Sequence, residues 1–147
     1  MKFVIVDVEG GPRGGRCAGE GQMGEFGAVL FDIPPFATTF YGKDDSVETM
    51  LAFEKWLDTI SKEDRPVFVS DNPAYDWQHI NWAFHTRLGH NPFGHSARRI
   101  GDFWAGTRNN WHDTQGWKRF RKTRHDHNPV HDALGNAEAL WEIWPIP

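Results

Sequence analysis

The sequence predicts α/β layering, with α+β as the near alternative, in one domain spanning residues 1–147. Three observations carry this reading. The length is that of one ordinary domain. Apolar runs of strand length come first and then alternate with stretches of helical period. Neither a linker nor an internal repeat breaks the series.

Taken in order, Phe3-Val4-Ile5-Val6-Asp7-Val8-Glu9 reads as a strand buried on both faces, because apolar residues fill both parities. It runs into a Gly-rich stretch over 10–24 that holds Arg13 and Arg16. Residues 25–31 form a second strand and 37–41 a third. A helix is expected over 45–60, where Asp45 with Glu48 offers a capping box and Val47, Met50, Leu51, Phe53, Leu57 and Ile60 recur near helical spacing. Pro66-Val67-Phe68-Val69-Ser70 is a short buried strand, followed by a helix over 72–88. Residues 91–124 read as irregular, apart from a strand or short helix near 99–104. The last helix opens at Asn128-Pro129 and runs to Trp144, where Pro145 and Pro147 stop it.

Composition removes several classes. The single cysteine, Cys17, excludes an intrachain disulfide framework and suits a reducing compartment, so a cytoplasmic location is expected. The apolar runs are too short to span a bilayer, and Met1-Lys2 leads into a strand rather than a signal peptide. The formal net charge of −4 gives no global field for nucleic acid, so such a partner would need a local basic patch and neutralised acids. Eleven Phe and eight Trp call either for a ring-rich core or for rings left free to stack.

The chemistry-bearing residues begin with Asp7-Val8-Glu9. Side chains alternate along a strand, so Asp7 and Glu9 share a face, and a divalent cation would relieve both their repulsion and their burial. Taken alone, the pair reads equally well as two solvated acids at a strand end. Asn72-Pro73-Ala74-Tyr75-Asp76 and Asn128-Pro129-Val130-His131-Asp132 each cap a helix with Asn, start it with Pro, and set Asp one turn in. Early-turn Asp also simply stabilises helices. His127 precedes Asp132 by five residues, among His125, Asp126 and His131. Zinc on His125, His127 and His131 is a competing reading, weakened by the lack of a nearby Cys.

Together, Asp7-x-Glu9, Asp76 and His127-x-x-x-x-Asp132 resemble the DEDDh family of 3′-to-5′ exonucleases, which includes ribonuclease T and oligoribonuclease. The likeness extends to Glu25-Phe26-Gly27-Ala28-Val29, to the residues after Asp132 and, in the small exoribonuclease-like branch, to the stretch 98–106. Asn128 stands where the tyrosine variant of the family has Tyr, so the histidine variant fits. Gly10-Gly11-Pro12 departs from the Thr or Ser that many relatives carry after the Glu.

The resemblance implies a ribonuclease-H-like fold, a mixed central sheet flanked by helices with Asp7 and Glu9 on its central strand. It implies hydrolysis of single-stranded nucleic acid from the 3′ end, with RNA slightly favoured over DNA. Two divalent ions, Mg²⁺ or Mn²⁺, would be held by Asp7, Glu9, Asp76 and Asp132. His127 would be the general base, a task an imidazole suits near neutral pH. Homodimers are known in the family, and this chain has rings to spare for such an interface.

For substrate, Lys118, Arg119, Arg121, Lys122 and Arg124 form a basic run ahead of His127 that would track phosphates. Trp77 and Trp104, with Trp111 and Trp117, are the rings expected to stack on bases, whereas Trp141 and Trp144 are expected in the core. The alternatives are a catalytically idle relative that binds nucleic-acid ends or proteins, and a zinc hydrolase built on the histidines.

Overall fold

A five-stranded mixed sheet with helices on both faces organises the chain. The computed structural model describes residues 1–11, 18–19 and 23–145. Most of the Gly-rich stretch, with Arg13, Arg16 and Cys17, lies outside the described residues, as does Pro147. In chain order the elements are β1 (Lys2–Gly10), β2 (Met23–Phe31), β3 (Thr39–Gly42), α1 (Val47–Ser61), β4 (Pro66–Ser70), α2 (Pro73–Leu88), β5 (Ala97–Arg99), α3 (Ile100–Thr107), a 3-10 turn (Gly116–Phe120) and α4 (Pro129–Ile143). The strand order is β3-β2-β1-β4-β5. β2 runs antiparallel to both β1 and β3, while β4 runs parallel to β1 and β5 parallel to β4. This is the α/β arrangement, consistent with a ribonuclease-H-like fold, and β1 is its central strand.

The alternation along β1 divides the interior in two. Val4, Val6 and Val8 enter a core with Met50, Phe53 and Leu57 of α1 and Ile80 and Phe84 of α2. Ile5, with Phe3 beside it, faces the opposite core, shared with Trp104, Trp117, Ala133, Ala137 and Leu140. Asp7 and Glu9 continue that second row, so the sequence parity alone aims them at α4. Most of the aromatic load is consumed here. Phe53 alone stacks or tilts against Phe26 and Phe40 with centroids 4.9 Å away, and Trp144 packs against Phe3 and Phe103 at 5.4 and 5.5 Å.

Two expectations are adjusted. The cap of α1 is Ser46, whose side chain accepts from the Thr49 amide at 3.2 Å, rather than Asp45. Asp45 instead lies buried, 3.4 Å from Arg87 of α2. A polar partner on another helix outcompetes the local capping box. The stretch 91–124 holds β5, α3 and the 3-10 turn. β5 is only three residues long and its two arginines hide a period-two pattern. Among the described residues no helix is long and apolar enough to cross a membrane.

Candidate metal centre and active site

Asp7, Glu9, Asp76 and Asp132 reach the site from three elements, each by a traceable local cause. In β1 the parallel pairing to β4 stops at Ile5↔Val69, yet β1 runs on to Gly10. The open edge beyond leaves a backbone donor to satisfy. The Val8 N–H is taken by Asp76 Oδ1 at 3.0 Å, from the first turn of α2. Asp76 therefore reaches around the carboxyl ends of β1 and β4, the usual location of ligand sites in open α/β sheets.

Asp132 arrives through a close helix-to-sheet contact. Gly27 of β2 lies opposite Asp7 in the register, and a Cβ there would come within 2.4–2.5 Å of the Pro129 and Val130 backbone. Only glycine lets the start of α4 seat directly on the sheet. Asn128 caps α4, its Oδ1 accepting from the amides of Val130 and His131 at 3.0 and 3.2 Å. One turn in, Asp132 is 1% exposed and faces β1.

Carboxylate oxygens of Asp7, Glu9 and Asp132 all lie within 4.8 Å of one another. Asp7 Oδ2 and Asp132 Oδ2 are buried without a hydrogen-bond partner. Burial is the main reason the Asp7 carboxyl is pushed up to about 9, with the charges of Asp76, Asp132 and Glu9 adding to it and Arg121 opposing. Burial also lifts Asp76 to about 7, against the favourable Val8 hydrogen bond, and raises Glu9, with Asp132 next in effect. Oxygen-only donors, crowded, only partly balanced by Arg121 and partly orphaned, match what a hard divalent cation requires. The residues fit Mg²⁺ or Mn²⁺.

His127 sits at the lip of this cluster, 76% exposed, with Nδ1 3.7 Å from Glu9 Oε2. Its backbone is left-handed, with φ 61°, an uncommon state for a residue other than glycine. The Asp126 carboxylate ties the loop down by accepting from the Asn128 amide at 3.0 Å and meeting His131 Nδ1 at 2.8 Å. This contact removes His131 from the zinc triad proposed from sequence. Instead His125 Nδ1 lies 2.9 Å from Asp132 Oδ1, and the potential ligand group is His125, His127 and Asp132. That group shares Asp132 with the acidic one, so the histidines border a single centre.

The basic run divides. Lys118 and Arg121 line a cleft of about 410 Å³ with Asp7, Asp71, His125 and Asn136, and Lys118 Nζ pairs with Asp71 Oδ2 at 2.6 Å. Lys122 turns away to Glu142 at 2.8 Å, Arg119 lies over the Trp104 ring at 5.4 Å, and Arg124 is exposed. Trp104 is not in the cleft. It is 6% exposed, its indole N–H donates to Asp113 at 2.8 Å, and Arg108 covers the ring at 5.5 Å. Trp77 packs edge-on against Phe68 and Trp117 is fully buried, while Trp111 is 80% exposed. Trp104 and Trp117 belong to the buried cluster that α4 shares with the sheet. The sequence gives no role to Asp71 and Asn136, which line the cleft, and no reason for Gly27.

No family model matches the sequence. The chain is 37% identical over 100 residues to an Escherichia coli protein named 3′-5′ DNA exonuclease Cap18, across 64% of this chain and 54% of the relative. It thus spans about half the length of that curated relative.

Proposed function

We propose that the chain is a metal-dependent 3′-to-5′ exonuclease of the DEDDh type that hydrolyses phosphodiester bonds at the 3′ end of single-stranded DNA. The observation that carries the reading is the triple of Asp7, Glu9 and Asp132 oxygens within 4.8 Å, two of whose buried atoms lack partners. The 3′-5′ DNA exonuclease similarity supports the direction and the sugar. The family resemblance in the sequence leans slightly to RNA, whereas the name of this relative favours DNA.

Asp7, Glu9 and Asp132 would hold divalent cation, with Asp76 approaching from α2. Cation held there would supply charge neutralisation at the phosphoryl and leaving 3′-oxygens and would acidify the attacking water. The chain's own residues supply the rest. With Nδ1 toward Glu9, His127 has Nε2 left to accept a proton from the attacking water. Its place on the exposed loop lets it meet a strand end arriving from solvent. Lys118 in the cleft would attract the phosphate backbone.

The test is cleavage of 5′-labelled single-stranded DNA and RNA of one sequence with Mn²⁺, Mg²⁺ or EDTA, alongside His127→Ala. A metal-dependent ladder shortening from the 3′ end, faster on DNA and lost in the variant, is expected. No cleavage of either strand with any metal would reject the enzyme and favour a module that binds nucleic-acid ends.

A further inference from the structure

Arg121 belongs to the basic run expected to follow the phosphates, yet its surroundings are those of an interior group. Its side chain is 13% exposed. Nη2 lies 3.3 Å from the Asp132 carbonyl oxygen and 3.5 Å from Asp132 Oδ1, and Nε is buried with no partner. The position is built for it. Gly135 lies one turn after Asp132 on α4, and a Cβ there would stand 2.8 Å from Arg121 Nε and 3.0 Å from the Thr123 carbonyl. Glycine in the middle of a helix is less favourable than alanine, and here it clears the space that the guanidinium fills. Arg121 is also the cation whose charge opposes the upward push on Asp7.

We propose that Arg121 is a positioning residue, a resident counter-cation that holds Asp132 and neutralises part of the acidic cluster, so that the site stays formed without metal and binds divalent cation less tightly than its carboxylates alone would. The inference rests on the metal-centre reading. A fixed positive charge next to a ligand repels an incoming divalent ion while relieving the repulsion among the acids. The two effects have opposite signs in binding and in stability, and a purely structural role would not show that combination.

The experiment is direct titration of Mn²⁺ into the metal-free full chain by calorimetry, with parallel thermal melts in EDTA, for the wild type, Arg121→Gln and Arg121→Lys. Arg121→Gln is expected to bind Mn²⁺ about tenfold more tightly, to melt lower in EDTA, and to gain more from saturating Mn²⁺ than the wild type. Arg121→Lys, which keeps the charge, should stay within about twofold of the wild-type affinity. Wild-type binding with Arg121→Gln binding equally or more weakly overturns the inference and leaves the metal centre standing. If Arg121→Gln does not fold, an Arg121→Lys chain that binds Mn²⁺ about tenfold more tightly than the wild type overturns it equally. No Mn²⁺ binding by the wild type overturns the metal centre and this inference together.

Discussion

Replacing Asp7 by Asn should stabilise the metal-free protein, although it removes the residue at the heart of the proposed chemistry. Asp7 is held at about 9 against an ordinary 3.8, first by burial and then by three neighbouring acids. A carboxyl raised in this way favours the folded state while protonated, so its contribution is full below 3.8 and is lost as the pH climbs toward about 9. At roughly 1.4 kcal/mol per pH unit, the ceiling at pH 7 is about 4 kcal/mol. Asp7 keeps some contact with water, and the repulsion is shared with Glu9, Asp76 and Asp132, so about 2 kcal/mol is expected. In a chain of this length that is about 4–8 °C in Tm. Melts of the wild type and Asp7→Asn in EDTA should coincide near pH 4 and separate steadily up to pH 8.5, the variant being the more stable. Saturating Mn²⁺ should reverse the order by stabilising only the wild type appreciably. A variant melting at or below the wild type at pH 8.5 in EDTA, or a gap that does not change with pH, would refute the reasoning.

Other perturbations reach different links of the chain from sequence to function. Gly27→Ala forces a methyl group against the Pro129 backbone and should destabilise by about 2–3 kcal/mol, with Mn²⁺ affinity falling because Asp132 moves with α4; melts and titration on one sample report both. Lys118→Ala should weaken binding of single-stranded DNA and reduce the slope of log affinity against log salt by about 1, measured by fluorescence anisotropy without divalent metal. Trp104→Ala should lower stability by about 3–5 kcal/mol as a core truncation, whereas a base-stacking role would leave the denaturation midpoint unchanged.

Much of this architecture was legible because alternation and capping are local. Parity along β1 aimed Asp7 and Glu9 at one face, and Asn-Pro pairs marked the starts of α2 and α4. The residues assigned by motif fall in one neighbourhood at the carboxyl end of β1. What escaped depended on packing between distant segments. Arg121 looks like Lys122 and Arg124 in the sequence, and only the space beside Gly135, fourteen residues on, distinguishes it. The same holds for Trp104, whose burial follows from α3 folding over the 3-10 turn, and for Asp45, drawn to Arg87 from its expected cap. His131 was one of three similar histidines until Asp126 claimed it.

The hydrogen bond from the Val8 amide to Asp76 gives the protein a built-in spectroscopic gauge. An amide proton aimed at a carboxylate resonates according to the charge it faces, so the Val8 signal should titrate with Asp76 near pH 7 in the metal-free state. Bound cation would hold that carboxylate ionised and flatten the curve. A single backbone resonance, read by heteronuclear NMR without substrate or label at the centre, would then report how full the site is. The amide can do so because the pairing with β4 stops before β1 does and leaves it to a side chain.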